Sequence, residues 1–365
     1  MKFNEQVTIE NYIIKFIKDK LGFEYIKPEE FAKLRDLESE YVIKPQLFDA
    51  VKRINKVDDT VAKSILREVS KIDSNKDFLD AVRNGINLMD PTTRLFRDYK
   101  IVDLDNLENN QFVVTNQFYF EGDTENIRPD VMVFVNGLSL VLIEAKSPTA
   151  SENVSFENGI DQIKRYEKVA RKLFIPNCFN IASDGLKTVY GATGSPKQYF
   201  LQWRDDELVK ELSGELEMTL FSLLSKKNFL DIVQNFILFE KEKEKLVKKI
   251  ARYQQMRATN KIVERVVTKE KRQGLIWHTQ GSGKTLTMYF TAWKLRFNKQ
   301  LANPKVFILV DRVDLDDQIF ETFTNAGGKT LSASLPAKIW KKKYNHRRRV
   351  YSLQLFKSFL SLATR

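Results

Sequence analysis

Apolar residues recur at helical spacing from Ile9 to Lys18 (IENYIIKFIK), and the run stops at Lys20-Leu21-Gly22, which predicts an amphipathic helix closed by glycine. Between Ile101 and Lys146 the period changes. QFVVTNQFYF, VMVFV and LSLVLIEAK are short β-rich runs broken by Gly122-Asp123 and Asn136-Gly137, the pattern of a sheet with at least one hairpin. Helical periodicity returns after Ser151 in IDQIKRYEKVARKLF, followed by a short strand at CFNIAS and a Gly-rich turn over SDGLKTVYGATGSP. Glu207 to Lys249 then holds two helical patterns and the mixed-charge run FEKEKEKLVKK, read as a solvated helix face or linker. From GLIWHTQGSGKT through VFILVD the order strand, loop, helix, strand begins afresh, as in a parallel sheet. The expected architecture is α/β: a mixed sheet flanked by helices over residues 1–205, a helical linker over 206–250, and a partial parallel-sheet domain over 251–365.

A length of 365 residues fits two folding units, each with its own core. No apolar run approaches the roughly 20 residues that cross a bilayer, and MKFNEQVTIE lacks the basic and apolar regions of a signal peptide, so no membrane partner and a cytoplasmic location are expected. The single cysteine, Cys178, excludes an internal disulfide framework. With only His278 and His346 beside it there is no zinc-binding set, so any metal must rest on carboxylates. The net charge of +12 fits a phosphate-backbone partner, although charge alone equally suits a basic protein with solvated lysines.

Candidate chemistry begins in RPDVMVFVNGLSLVLIEAK, where Asp130 precedes one strand and Glu144 and Lys146 end the next. The turn decides whether they meet. A three-residue loop over Val135, Asn136 and Gly137 pairs Phe134 with Leu138 and puts Asp130, Glu144 and Lys146 on one face; a two-residue Asn-Gly turn puts Asp130 and Glu144 on opposite faces. The first arrangement is the expectation. Two carboxylates beside an ammonium suit phosphodiester hydrolysis, because hard oxygen ligands hold Mg²⁺ and the lysine steadies developing charge. The plain alternative is a surface ion pair at a strand end. Downstream, Gln162 and Tyr166 share one helix face at i and i+4. At these residues the chain resembles the PD-(D/E)-x-K nucleases, in the RecB-like branch with an added Q-x-x-x-Y motif. The resemblance implies Asp130 and Glu144 as metal ligands, Lys146 as the catalytic lysine, and Gln162 and Tyr166 as helpers near the DNA backbone. It also implies an acid on the first helix, for which Glu10 is the best placed, with Glu5 and Glu24 as competitors.

HTQGSGKT, with apolar GLIW before it and LTMYFTAWKL after it, has the order required of a phosphate-binding loop. Gly281 and Gly283 let the backbone from Thr279 through Ser282 close around phosphates of ATP, Lys284 reaches the β- and γ-phosphates, and Thr285 ligates Mg²⁺. His278 stands where the general pattern has glycine or alanine. In YQQMRATNK, Gln255 resembles the adenine-reading glutamine of superfamily 2 helicases. VFILVDRVDLDDQ imitates a Walker B strand ending in Asp311, but Arg312 follows where glutamate is needed, and the segment instead resembles helicase motif Ia.

Taken in order, FVVTNQFYFEG, RPDVMVFVNGLSLVLIEAK, IASDG, YQQMRATNK, GLIWHTQGSGKT and ILVDRVDLDDQ resemble the restriction (R) subunit of type I restriction-modification enzymes, from about residue 5 to about residue 325. That implies an endonuclease that cuts after ATP-driven translocation of double-stranded DNA, in complex with modification and specificity subunits. The family continues through a Walker B motif, a second RecA-like lobe and a helical assembly region; none is found here. YSLQLFKSF echoes a further family segment only weakly. The chain therefore reads as a fragment, a truncated gene product or an engineered piece, one that could bind nucleotide without efficient hydrolysis or translocation. Two other readings stay open: a DNA-repair helicase with a fused nuclease, and an inert DNA-binding or assembly remnant.

Overall fold

A computed structural model describes residues 5–91, 93–146, 155–205, 212–269, 273–301, 304–310, 323, 331–332 and 349–353. The chain divides into two compact units, Met1–Ile237 and Leu238–Arg365. In chain order the first holds α1 (Glu5–Leu21), β1 (Glu24–Tyr25), α2 (Pro28–Ala32), α3 (Lys44–Asn55), α4 (Asp59–Val69), α5 (Asn75–Asn84), β2 (Ile86–Met89), β3 (Phe96–Tyr99) and β4 (Phe112–Asn116). It continues with β5 (Val131–Val135), β6 (Leu138–Ala145), α6 (Phe156–Val169), β7 (Phe179–Ser183), β8 (Thr188–Ala192), β9 (Leu201–Gln202), α7 (Glu215–Leu224) and α8 (Lys226–Asn235). The helices start where the sequence supplies caps: the Asp58 carboxylate accepts from Val61 N–H, Ser74 caps α5, and Ser155 with Asn158 forms a capping box on α6. As expected, α1 ends at a glycine, Gly22, with φ 70°.

Seven strands form one mixed sheet in the order β1-β4-β5-β6-β7-β8-β9, with β1·β4 and β6·β7 parallel and the other pairs antiparallel. Strand β6 is central and all eight of its residues are buried, which explains its unbroken apolar reading. Phe134, Leu142, Met132 and Ala182 face Ile160, Ile163 and Tyr166 of α6 in the core on one side of the sheet.

The β5–β6 turn differs from the expectation. Val135 pairs with Leu138, so the loop is the two-residue Asn136-Gly137 turn, both residues having positive φ (53° and 78°), as a type I′ turn requires. The Asn136 side chain decides this geometry: its amide donates to the Ile101 carbonyl and to Asn110 Oδ1, and its oxygen accepts from Gln111 N–H, all within a fully buried turn. Yet Asp130 and Glu144 do not end on opposite faces. A β-bulge between Val133 and Phe134 leaves Leu140 unpaired, because Phe134 pairs with Ser139 but Val133 pairs with Val141. The extra residue shifts the register by one and restores the parity that the turn had lost. Val131 then pairs with Ile143, and Asp130 comes opposite Glu144.

Two other expectations change in this unit. TVYGA, expected in a Gly-rich turn, is strand β8; the chain turns on either side of it, at Asp184–Lys187 and at Ala192–Ser195, and Gly191 lies inside the strand, where a Cβ would press on the Phe200 ring at 2.9 Å. Helices α7 and α8, expected in a linker over 206–250, pack on α1, β8 and α5.

The second unit contains β10 (Ile237–Glu242, spanning the division), β11 (Lys245–Ile250), α9 (Tyr253–Thr268), α10 (Lys284–Arg296), β12 (Val306–Val310), β13 (Leu331–Ser332) and β14 (Arg349–Leu353). FEKEKEKLVKK is therefore a β-hairpin and not a helix face. Its charges alternate at the period of a strand, and Lys249 on β11 pairs with both Glu240 and Glu242 on β10. The parallel sheet expected over 251–365 is not found among the described residues: β12 and β13 each pair antiparallel with β14. GLIW forms no strand, and Leu275 and Trp277 are 89% and 84% exposed. Asp311 and Arg312 lie outside the described residues, as does YSLQLFKSF beyond Leu353.

Candidate active site

Asp130, Glu144 and Lys146 meet at one end of the β5–β6 pair. Lys146 Nζ lies 3.2 Å from Glu144 Oε2 and 4.0 Å from Asp130 Oδ2. Backbone groups fix both acids: Ala145 N–H donates to Asp130 Oδ2 at 2.8 Å, and Asp130 N–H approaches Glu144 Oε1 at 3.4 Å. Lys146 is itself anchored, its N–H donating to the Ser183 carbonyl on β7 at 2.8 Å. Gly159 of α6 lets the helix close over this point; a Cβ there would stand 3.3 Å from Ala182 Cβ and 3.6 Å from Glu144 Cβ.

Glu144 is fully buried. Burial first, and the neighbouring Asp130 charge second, hold its carboxyl well above the usual carboxylate range, against the opposing pull of Lys146. With both acids ionised, the buried pair facing a single ammonium would carry surplus negative charge, which a divalent cation would relieve. Hard oxygen donors are the set that Mg²⁺ accepts, so the residues present fit a metal ion. Among the described residues no three His, Cys, Asp or Glu side chains cluster to hold a metal by themselves. The side chains at this centre that could hold a metal are those of Asp130 and Glu144.

Gln162 and Tyr166 join the same centre, in a chain and not as separate outward-facing groups. Lys146 Nζ donates to Gln162 Oε1 at 2.6 Å, Gln162 Nε2 donates to Tyr166 Oη at 2.5 Å, and Tyr166 Oη reaches the Arg128 carbonyl at 3.4 Å. Tyr166 is 3% exposed, and burial, then the Glu144 charge, push its hydroxyl up to about 12, so it stays protonated and able to donate. Its hydroxyl touches Gln162, which in turn touches Lys146.

Glu10 belongs to the cluster too. It is buried on α1, and its oxygens accept from Asn116 Nδ2 at 2.6 Å and Gln117 Nε2 at 2.7 Å; burial raises its pKa while those bonds lower it. Glu24 instead accepts from Gln111, away from the centre, and the Glu5 side chain lies outside those described. Sequence reasoning missed Gln117, whose Nε2 also lies 3.3 Å from Asp130 Oδ1. The only sequence signal was an uncharged polar pair closing the apolar strand FVVT.

In the second unit, Gly281 and Gly283 both have left-handed backbones (φ 76° and 79°), and α10 starts at Lys284, which is exposed, with half-buried Thr285 in its first turn. Ser282 Oγ donates to the Thr279 carbonyl at 2.7 Å and closes the loop. Free N–H groups at a helix start favour phosphate, so this geometry fits a nucleotide. Gln255 is buried and hydrogen-bonded within the protein. Its Oε1 accepts from Arg252 N–H, and its Nε2 donates to the carbonyls of Ser282 and Gly283 at 3.3 and 3.1 Å. The amide latches the loop to α9, and a Cβ on Gly283 would collide with it.

Residues 2–199 match the family described as "Type I restriction enzyme R protein N terminus", and residues 254–357 match the SWI2/SNF2 ATPase family. The chain is 32% identical over 363 residues to the type I restriction enzyme HindI endonuclease subunit of Haemophilus influenzae, covering 92% of this chain and 33% of that protein. It is 29% identical over 366 residues to the provisionally named type I restriction enzyme MjaIXP endonuclease subunit of Methanocaldococcus jannaschii, covering 89% and 34%. The chain thus spans about a third of the length of these curated relatives.

Proposed function

Because the chain belongs to the type I restriction enzyme R protein family, we propose that its first unit carries a Mg²⁺-dependent DNA endonuclease centre and its second the ATP-binding loop of a DNA translocase. The observation that carries the nuclease reading is the convergence of Asp130, Glu144 and Lys146 across the bulged hairpin. Asp130 and Glu144 would hold Mg²⁺, which when bound polarises the scissile phosphate and lowers the pKa of a water. Lys146 offers a fixed ammonium to the charge that develops on the phosphate, and Gln162 and Tyr166 keep that ammonium in place. In the second unit, Thr279, Gly281, Ser282 and Gly283 shape the phosphate cradle, Lys284 neutralises the β- and γ-phosphates, and Thr285 would ligate their Mg²⁺. Gln255 steadies the cradle from α9.

Double-stranded DNA is the substrate, and the net charge of +12 supports that reading through counterion release. The partners would be modification and specificity subunits, and the place of work the cytoplasm; among the described residues no helix is long and apolar enough to cross a membrane. The functional division proposed is a nuclease domain over 1–205 and a motor domain from 251 onward. Nicking of supercoiled plasmid with Mg²⁺ tests the nuclease: the chain should nick, and Asp130→Ala should not. Equal nicking by both would refute the assignment.

A further inference from the structure

We propose that Gln117 is a positioning residue of the carboxylate centre, setting the Asp130 carboxylate for a divalent cation and tying Glu10 to it; this rests on the nuclease reading above. Gln117 follows directly on β4 and bridges two elements distant in sequence. Its Nε2 donates to Glu10 Oε2 of α1 at 2.7 Å and to Asp130 Oδ1 ahead of β5 at 3.3 Å, while its N–H donates to the Asp130 carbonyl at 2.9 Å. With Ala145 N–H on the other oxygen, both oxygens of Asp130 are held. Only the NH₂ end of the amide can face two carboxylates, since its oxygen would be repelled by both.

Two features set this apart from ordinary packing. Gln117 has φ 47°, a left-handed conformation that is unfavourable for a residue with a Cβ. Glycine would relieve that cost but would lose the amide. The bridge is also neutral. A lysine or arginine would hold the same two acids more strongly, but its charge would cancel the negative potential that a divalent cation needs. Lys146 already supplies one ammonium beside Asp130 and Glu144, and a second cation between Asp130 and Glu10 would offset more of the negative charge that draws a metal. Asn116 follows the same logic, holding Glu10 Oε1 through Nδ2 while its own oxygen accepts from Tyr25.

Mn²⁺ titrated calorimetrically into the full chain tests this, with thermal unfolding recorded in chelator. Gln117→Gly should melt at or above the wild-type temperature, because the backbone is relaxed, yet bind Mn²⁺ about 10–100-fold more weakly, the usual loss when a ligand's hydrogen-bond partner is removed. Gln117→Lys should weaken Mn²⁺ at least as much. Raising the Mn²⁺ concentration should restore nicking by Gln117→Gly, which a general structural defect would not allow. Gln117→Asn tolerates the same backbone with a shorter arm and should show the same loss should the glycine variant unfold. Wild-type Mn²⁺ affinity in both the glycine and asparagine variants, with binding lost in Asp130→Ala, overturns the role of Gln117 and leaves the nuclease reading intact. No Mn²⁺ binding by the wild-type chain overturns both.

Discussion

The two candidate sites are built in opposite ways. In the first unit the carboxylate centre draws Glu10, Gln117, Asp130, Glu144, Lys146, Gln162 and Tyr166 from helices, strands and a turn far apart in sequence, and most of these side chains are buried and hydrogen-bonded to one another. In the second unit the phosphate loop is one contiguous stretch, Thr279 to Thr285, with Lys284 exposed and a remote support in Gln255. A site whose geometry comes from long-range pairing can bury its charges, because neighbouring strands supply the compensating donors. A site made of successive backbone N–H groups stays open and keeps those groups free for its ligand. The first therefore depends on the register of the whole sheet and the second on local backbone conformation.

Perturbing each site separately should break that contrast where it is wrong. The largest effect is expected for Lys146→Ala, which removes the fixed ammonium. Mg²⁺-dependent plasmid nicking should fall about 100–1,000-fold, the usual scale for a lost charge-stabilising donor, with nucleotide binding unchanged. Lys284→Ala should do the converse: binding of a fluorescent ATP analogue should weaken roughly 10–100-fold, as for a lost hydrogen bond to a charged group, with nicking intact.

Asn136→Ala tests the dependence on sheet register. It strips partners from the Ile101 carbonyl and Gln111 N–H in a fully buried turn, and about 1–3 kcal/mol of stability should be lost in urea unfolding of the first unit. A change confined to the second unit's transition would contradict the assignment of that turn to the β5–β6 register.

The smallest effect concerns Glu144 and depends on pH. Its folded pKa is raised, so the native state holds the proton more tightly than the unfolded chain. The stability it contributes is complete below the ordinary carboxylate pKa and is lost as pH rises through the raised folded value. In chelator, Glu144→Gln should therefore match the wild type in acid and melt higher than it at alkaline pH. Added Mg²⁺ should narrow the gap by stabilising only the wild type. A melting-temperature difference that stays constant with pH would show that Glu144 is not the group held protonated.

Much of the first unit was legible from periodicity: α1 with its glycine stop, β4, β5, β6 and α6 all fall in the segments whose apolar spacing predicts them. The β10–β11 hairpin was missed because alternating Glu and Lys at a strand's period also suits a solvated helix, and only cross-strand pairing by Lys249 distinguishes the two. GLIW has a strand's composition, but β12 and β14 form the described sheet without it.

By itself the sequence determined which chemical groups are available: two acids and a lysine at the ends of apolar strands, and glycines where a phosphate loop needs left-handed backbone. Only the tertiary structure decided how the acids meet. The Asn136-Gly137 turn alone sends Asp130 and Glu144 to opposite faces, and the unpaired Leu140 turns them back together. The reason is that side-chain facing in a sheet has a period of two, so one inserted residue reverses it, and a bulge of that kind is set by packing between strands and not by any local residue preference.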